Sequence, residues 1–141
     1  MYKKILIPTD GSENANNEIP KALKLLDDNG EIIIVSVANK IKAHQFQSKD
    51  DVKRLNEIFI EEAQYNVDDM KEKIDSNIKV STKVLVDNSP GQAIIDFADK
   101  EDVDAIVISR SNKSRISKII LGSVAEKLVK ASDIDILLVS Q

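Results

Sequence analysis

A chain of 141 residues that is 42% apolar and 31% charged has enough hydrophobic side chains for a packed core and too little polar bias for disorder. The absence of cysteine and the presence of one histidine, His44, exclude disulfide frameworks, thiolate metal sites, cysteine nucleophiles and histidine-rich metal clusters. A formal charge of −4 gives no global attraction to nucleic acid or anionic membranes, so any anion site must come from a local excess of Lys and Arg.

In chain order, the first apolar run, "KILI" at 4–7, predicts a strand. No run approaches the roughly 18 apolar residues of a membrane span, and "MYKKILIPTD" lacks the layout of a signal peptide, so the expected location is the cytoplasm. Helical spacing follows from Ser12 to Leu26, with Pro20 predicting a kink or a late start. "IIIVSV" at 32–37 predicts the second strand, and after it comes the longest and most polar connection, "ANKIKAHQFQSKDD". Val52, Leu55, Phe59, Ala63, Val67, Met70 and Ile74 then recur three or four residues apart, one apolar stripe on a helix over 52–75. "KVLV" at 83–86 predicts the third strand. Ser89 to Lys100 reads as a helix with Ser89 as N-cap and Pro90 at its first position. "AIVIS" at 105–109 and "DILLVS" at 135–140 predict the last two strands, with a helix from Gly122 to Ala131 between them.

Strands alternating with helices imply an α/β fold in one domain, 1–141, with a parallel sheet covered on both faces and right-handed crossovers. Runs apolar on consecutive residues suit strands buried on both sides.

Ligands of open α/β sheets bind beyond the carboxyl ends of strands, where strand order reverses. Two loops in such positions carry chemistry. "PTDGSENA" at 8–15 offers Asp10 as an acceptor for an amino group or ribose, or as help in holding a cation. Gly11 permits a tight exit and Ser12 can cap the next helix; the plainer reading is that Asp10 and Ser12 only build that turn and cap. "SRSNKSRISKIILGSVAEKL" at 109–128 holds Arg110, Lys113, Arg115 and Lys118 with no acid between Asp104 and Glu126. It ends in Gly122 and Ser123, a helix start whose unpaired N–H groups suit a phosphate. A solvated basic loop capped by a serine is the competing reading. No G-K-S/T or G-x-G-x-x-G motif is present. His44 reads as a surface histidine. The paired acids Asp27-Asp28, Glu61-Glu62 and Asp68-Asp69 form no metal site or acid/base pair by their spacing.

At these two loops, and across essentially its whole length, the chain resembles the universal stress protein family. The pieces that carry the resemblance are "KKILIPTDGSENA", "IIIVSVAN", "SPGQAIIDFADKEDVDAIVIS" and "KIILGSVAEKLVKASDIDILLVS". The resemblance implies a five-stranded Rossmann-like sheet of order 3-2-1-4-5. It also implies homodimers paired through the last strand, 134–140, and a role in stress response. One branch of the family binds ATP through G-x-x-G-x9-G-S/T. Here the first two glycines are replaced by Ser109 and Asn112, and only the terminal Gly122-Ser123 pair is kept. Carried over position by position, the resemblance implies Pro8, Thr9, Asp10 and Val37 on the nucleoside side. It implies Ile108, Ser109, Arg110 and Asn112 along the fourth strand and its loop, and Gly122, Ser123 and Val124 on the phosphate side. Asp10 is its one candidate for an accompanying Mg2+.

Asn is the mildest non-glycine residue where φ is positive, whereas Ser109 can either block the ligand or bond it. The expected ligand is therefore ATP. The alternative is a nucleotide-free dimeric interaction module that engages a protein partner. A phosphotransfer receiver fits poorly, because no lysine follows the fifth strand. No residue is placed to position water at a terminal phosphate, so any ATP hydrolysis is expected to be slow. Neither nucleic acid nor membrane is expected as a partner.

Overall fold

A computed structural model describes residues 1–42, 48–110 and 122–140. The elements in chain order are β1 (Tyr2–Pro8), a 3-10 turn (Glu13–Asn17), α1 (Glu18–Leu25), β2 (Leu26–Ala38), α2 (Lys49–Glu72), β3 (Lys79–Val86), α3 (Pro90–Lys100), β4 (Ala105–Ser109), α4 (Ser123–Ala131) and β5 (Asp135–Val139). All strand pairings are parallel, and the sheet order is β3-β2-β1-β4-β5. This is the expected doubly wound sheet, with its order reversing between β1 and β4.

Period-two alternation on β1 explains why both faces are filled. Ile5 and Ile7 point into one core with Ile32, Ile34 and Val107, under α1 and α2 residues Ile19, Ala22, Val67 and Met70. Leu6 points the other way, into a core with Ile33, Val35, Ile106 and Ile108 under Ile94, Ala98 and Leu128 of α3 and α4. Each fully buried Ile or Leu contributes roughly 1.5–3 kcal/mol, so the central strands β1, β2 and β4 anchor both layers.

Several expectations change at the edges. β3 begins at Lys79 rather than at 83, and alternate residues along it are exposed; β5 shows a similar pattern up to Val139. Both are edge strands, so burial on two faces holds only for the inner three. The α2 stripe is also incomplete: Val52, Ala63, Val67, Met70 and Ile74 are buried, but Leu55 is 39% exposed.

Pro20 produces the late start. Residues 13–17 form the 3-10 turn, and α1 begins only at Glu18, which puts Pro20 in the first turn, where its missing N–H leaves no bond unmade. Pro90 is at the first position of α3 as expected, but Ser89 makes no side-chain capping bond; its N–H donates instead to Asp87 Oδ1 at 2.8 Å. α3 ends on Asp102 at φ 54. The Val103 N–H donates to the Ala98 carbonyl and the Asp102 N–H to the Asp99 carbonyl, the pairing of a Schellman end with aspartate in the place usually held by glycine.

Candidate functional site

The carboxyl ends of β2, β1 and β4 lie side by side, and β1 pairs with β4 only at Ile5↔Ala105 and Leu6↔Ile106. Beyond those pairs the sheet splits. Among the described residues, the buried polar side chains are Thr9, Asn14, Glu18 and Ser36. Thr9 follows β1, Ser36 lies near the end of β2, and Asn14 and Glu18 come from the turn and helix that leave β1. Burying polar groups costs free energy unless they are bonded, and here they gather at the split.

The loop after β1 is shaped by its own side chains. The Thr9 N–H donates to the Val35 carbonyl at 2.8 Å, and Thr9 Oγ1 accepts from the Gly11 N–H at 3.1 Å. Asp10 Oδ1 accepts from the Ser12 N–H at 2.9 Å, and Ser12 Oγ accepts from the Ala15 N–H at 3.3 Å. The turn-and-cap reading of Asp10 and Ser12 is thus what these bonds do. Asp10 is nevertheless exposed and uses one carboxylate oxygen for the turn, which leaves the other facing outward chemistry.

Pro8 and Thr9 are buried, Val37 is half-buried near the end of β2, Ile108 is buried, and Ser109 and Arg110 are half-buried at the end of β4. Val124 packs on the core that includes Ile108, and because α4 follows β4 in the crossover to the parallel β5, its start lies on the carboxyl side of the sheet. Gly122 takes the N-cap position with no side chain to cap the helix, so the first-turn N–H groups at Ser123 and Val124 are presented as an anion-binding helix start requires. Asn112, Lys113, Arg115, Lys118 and His44 lie outside the described residues. Of the expected site residues, all but Asn112 are among those described, and they come from the carboxyl ends of β1, β2 and β4 and the start of α4. Among the described residues no group of three Asp, Glu, His or Cys can hold a metal.

Two residues of the site have no counterpart in the sequence expectations. Glu18 is 1% exposed, and its Oε2 accepts from the Ser109 N–H at 2.8 Å. Asn14 Nδ2 donates to the Arg110 carbonyl, and Asn14 Oδ1 accepts from Asn17 Nδ2 at 3.1 Å. The signal was present but weak: Glu18 falls three residues after Ala15 and four before Ala22, on the apolar side of its helix.

Burial pushes the Glu18 carboxyl well above the usual carboxylate range, and the negative charge of Asp10 adds to this. The Ser109 N–H and hydroxyl oppose it without prevailing. A carboxyl that keeps its proton when folded and releases it when unfolded makes the folded state less stable as pH rises from the ordinary carboxylate value, about 4.3, toward the raised one. Below that window both states hold the proton and the term is flat. Urea unfolding at about pH 5 and about pH 8 will show the native chain losing stability relative to Glu18→Gln; parallel pH profiles would contradict a protonated Glu18.

A groove between β3 and α3 is lined by Ile33, Lys83, Leu85, Phe97 and Lys100. It lies at the sheet edge, away from the split, and contains none of the buried polar side chains.

Among the described residues no helix is long and apolar enough to cross a membrane. The model of the universal stress protein family matches residues 1–140. The chain is 31% identical to universal stress protein MJ0577 of Methanocaldococcus jannaschii, covering 100% of this chain and 96% of that one. It is 34% identical to a universal stress protein of Methanothermobacter thermautotrophicus over 92% and 89% of the two chains. The solved structure of MJ0577 superposes with a TM-score of 0.84 at 29% identity, covering 100% and 97%. The same fold occurs in a universal stress protein solved in complex with cAMP, with a TM-score of 0.63 at 20% identity over 98% and 97% of the chains. It also occurs in an Arabidopsis thaliana family protein with AMP bound, with a TM-score of 0.63 at 15% identity over 99% and 92%. With the expected strand order and a family match over nearly every residue, this chain belongs to the universal stress protein family.

Proposed function

We propose that this protein binds an adenine nucleotide, ATP foremost, at the carboxyl ends of β1 and β4, and acts as a dimeric regulatory protein of the stress response in the cytoplasm. The observation that carries the reading is the meeting of three features at one split in the sheet: the Thr9–Asp10 turn, the end of β4, and a helix start at Gly122–Val124 without a side-chain cap. Asp10 would accept from ribose hydroxyls, the half-buried Val37 would border the base, and the N–H groups of Ser123 and Val124 would donate to phosphate oxygens. The nucleotides carried by the two relatives solved with cAMP and AMP support an adenine ligand. Dimerisation is supported by β5, whose outer edge has no partner strand among the described residues and whose Leu137 is 38% exposed. An uncovered apolar edge favours pairing with a second copy.

The test is to denature purified protein without added nucleotide and analyse the released small molecules by chromatography and mass spectrometry, followed by calorimetric titration with Mg-ATP, AMP and cAMP. The expected result is saturable binding of at least one of them, weakened about tenfold or more by Gly122→Val, which crowds the helix start. An empty protein with no heat of binding and no thermal shift would favour a nucleotide-free interaction module.

A further inference from the structure

The last two backbone groups at the end of β4 are held by side chains from across the split. The Ser109 N–H faces the β1 side, beyond the last β1–β4 pair, where a sheet partner is lacking, and Glu18 Oε2 takes its place at 2.8 Å. The neighbouring Arg110 carbonyl is taken by Asn14 Nδ2, while the Arg110 N–H donates back to the Val139 carbonyl of β5 at 3.1 Å. Asn14 is itself steadied by Asn17 at 3.1 Å. Glu18 and Asn14 are both buried, and Glu18 Oε1 has no hydrogen-bond partner among the described residues. Burying a carboxyl is costly, and this one is buried where its oxygen holds the last N–H of β4.

We propose that Glu18, assisted by Asn14, is a positioning residue of the nucleotide site: it fixes the direction in which the chain leaves β4 at Ser109 and Arg110. This rests on the nucleotide reading given above. A strand end already held in its binding direction spares the ligand the cost of ordering it. A purely packing role would need only volume at position 18; a positioning role needs an acceptor for the Ser109 N–H.

Three variants separate these roles. Glu18→Gln keeps an acceptor, Glu18→Met keeps volume without one, and Glu18→Ala removes both; Asn14→Ala, a fourth variant, frees the Arg110 carbonyl and the Asn17 amide while leaving Glu18 in place. Amide hydrogen exchange at Ser109 is measured without ligand, beside Ile106 and Val107 as internal references. Affinities for Mg-ATP and AMP are then measured well below each variant's melting temperature. The expected result is near-native exchange and affinity for Glu18→Gln. Glu18→Met and Glu18→Ala should speed exchange at Ser109 by about tenfold or more with the references unchanged, and weaken nucleotide binding by about tenfold. Asn14→Ala should weaken binding in the same direction. Native affinity in Glu18→Met, or exchange that rises equally at Ser109, Ile106 and Val107, would overturn the proposal, and Glu18→Met serves if the Ala variant does not fold. Absence of nucleotide binding by the native chain would overturn the nucleotide reading instead. The exchange at Ser109 would still decide whether Glu18 holds this strand end.

Discussion

Truncating Leu128 to alanine will destabilise the protein by about 2–5 kcal/mol and, on the proposed nucleotide reading, weaken nucleotide binding beyond what the lost stability accounts for. Leu128 is fully buried, and with Ala125 it forms the buried face of α4, a helix of nine residues. A helix that short is marginal in isolation, so its position depends on this face packing against Ile106, Ile108 and Ile94. The far side is fixed closely as well: a side chain at Gly91 would come within 2.7 Å of Lys127 Cβ, so α3 and α4 meet there with little space between them. Removing the Leu128 side chain leaves a cavity under the helix that presents Gly122, Ser123 and Val124. Urea unfolding measures the first effect, with Leu128→Met as a volume-conserving control expected to cost less than about 1.5 kcal/mol. A loss below about 1 kcal/mol for Leu128→Ala would mean that α4 is held by something other than this contact.

Gly11→Ala is expected to cost about 1–2 kcal/mol, because Gly11 sits at φ +82, where an L side chain meets its own carbonyl. A second strain adds to the first. The new Cβ would stand 2.6 Å from Asn66 Oδ1 on α2, although the end of an Asn side chain can move. The double variant Gly11→Ala/Asn66→Ala separates the two, since it relieves the collision and leaves the backbone strain. Gly11→Val should be worse than either, as a β-branched residue tolerates positive φ poorly. The consequence for the site is direct: the Gly11 N–H donates to Thr9 Oγ1, and a distorted turn would carry Asp10 away from the split. Chemical unfolding checks the stability of each variant, and native stability in Gly11→Ala would show that the turn adopts another conformation.

Much of this architecture is legible in the amino-acid sequence. The runs at 4–7, 32–37 and 105–109 are apolar on consecutive residues, and each proves to be an inner strand with side chains entering both cores. Their alternation with helical spacing implies the parallel sheet, and the "PTDGS" turn and the "GSVAEK" helix start are legible because turn and helix-start chemistry is local. Edge strands are harder to read, as at Lys79–Thr82, since half of their residues face water and the pattern resembles a loop. The exposure of Leu55 is also invisible in the sequence: periodicity defines a helix face without saying which of its residues meet a partner.

Local interactions thus determined the elements, their order and the two loops, because caps, turns and hydrophobic period depend on residues a few positions apart. Only the tertiary structure decided how Glu18 is used. A glutamate in the first turn of a helix ordinarily faces solvent and favours the positive end of the helix dipole. Here, α1 packs across the split between β1 and β4, which buries the carboxyl, pushes its pKa up and turns it toward an N–H 91 residues away.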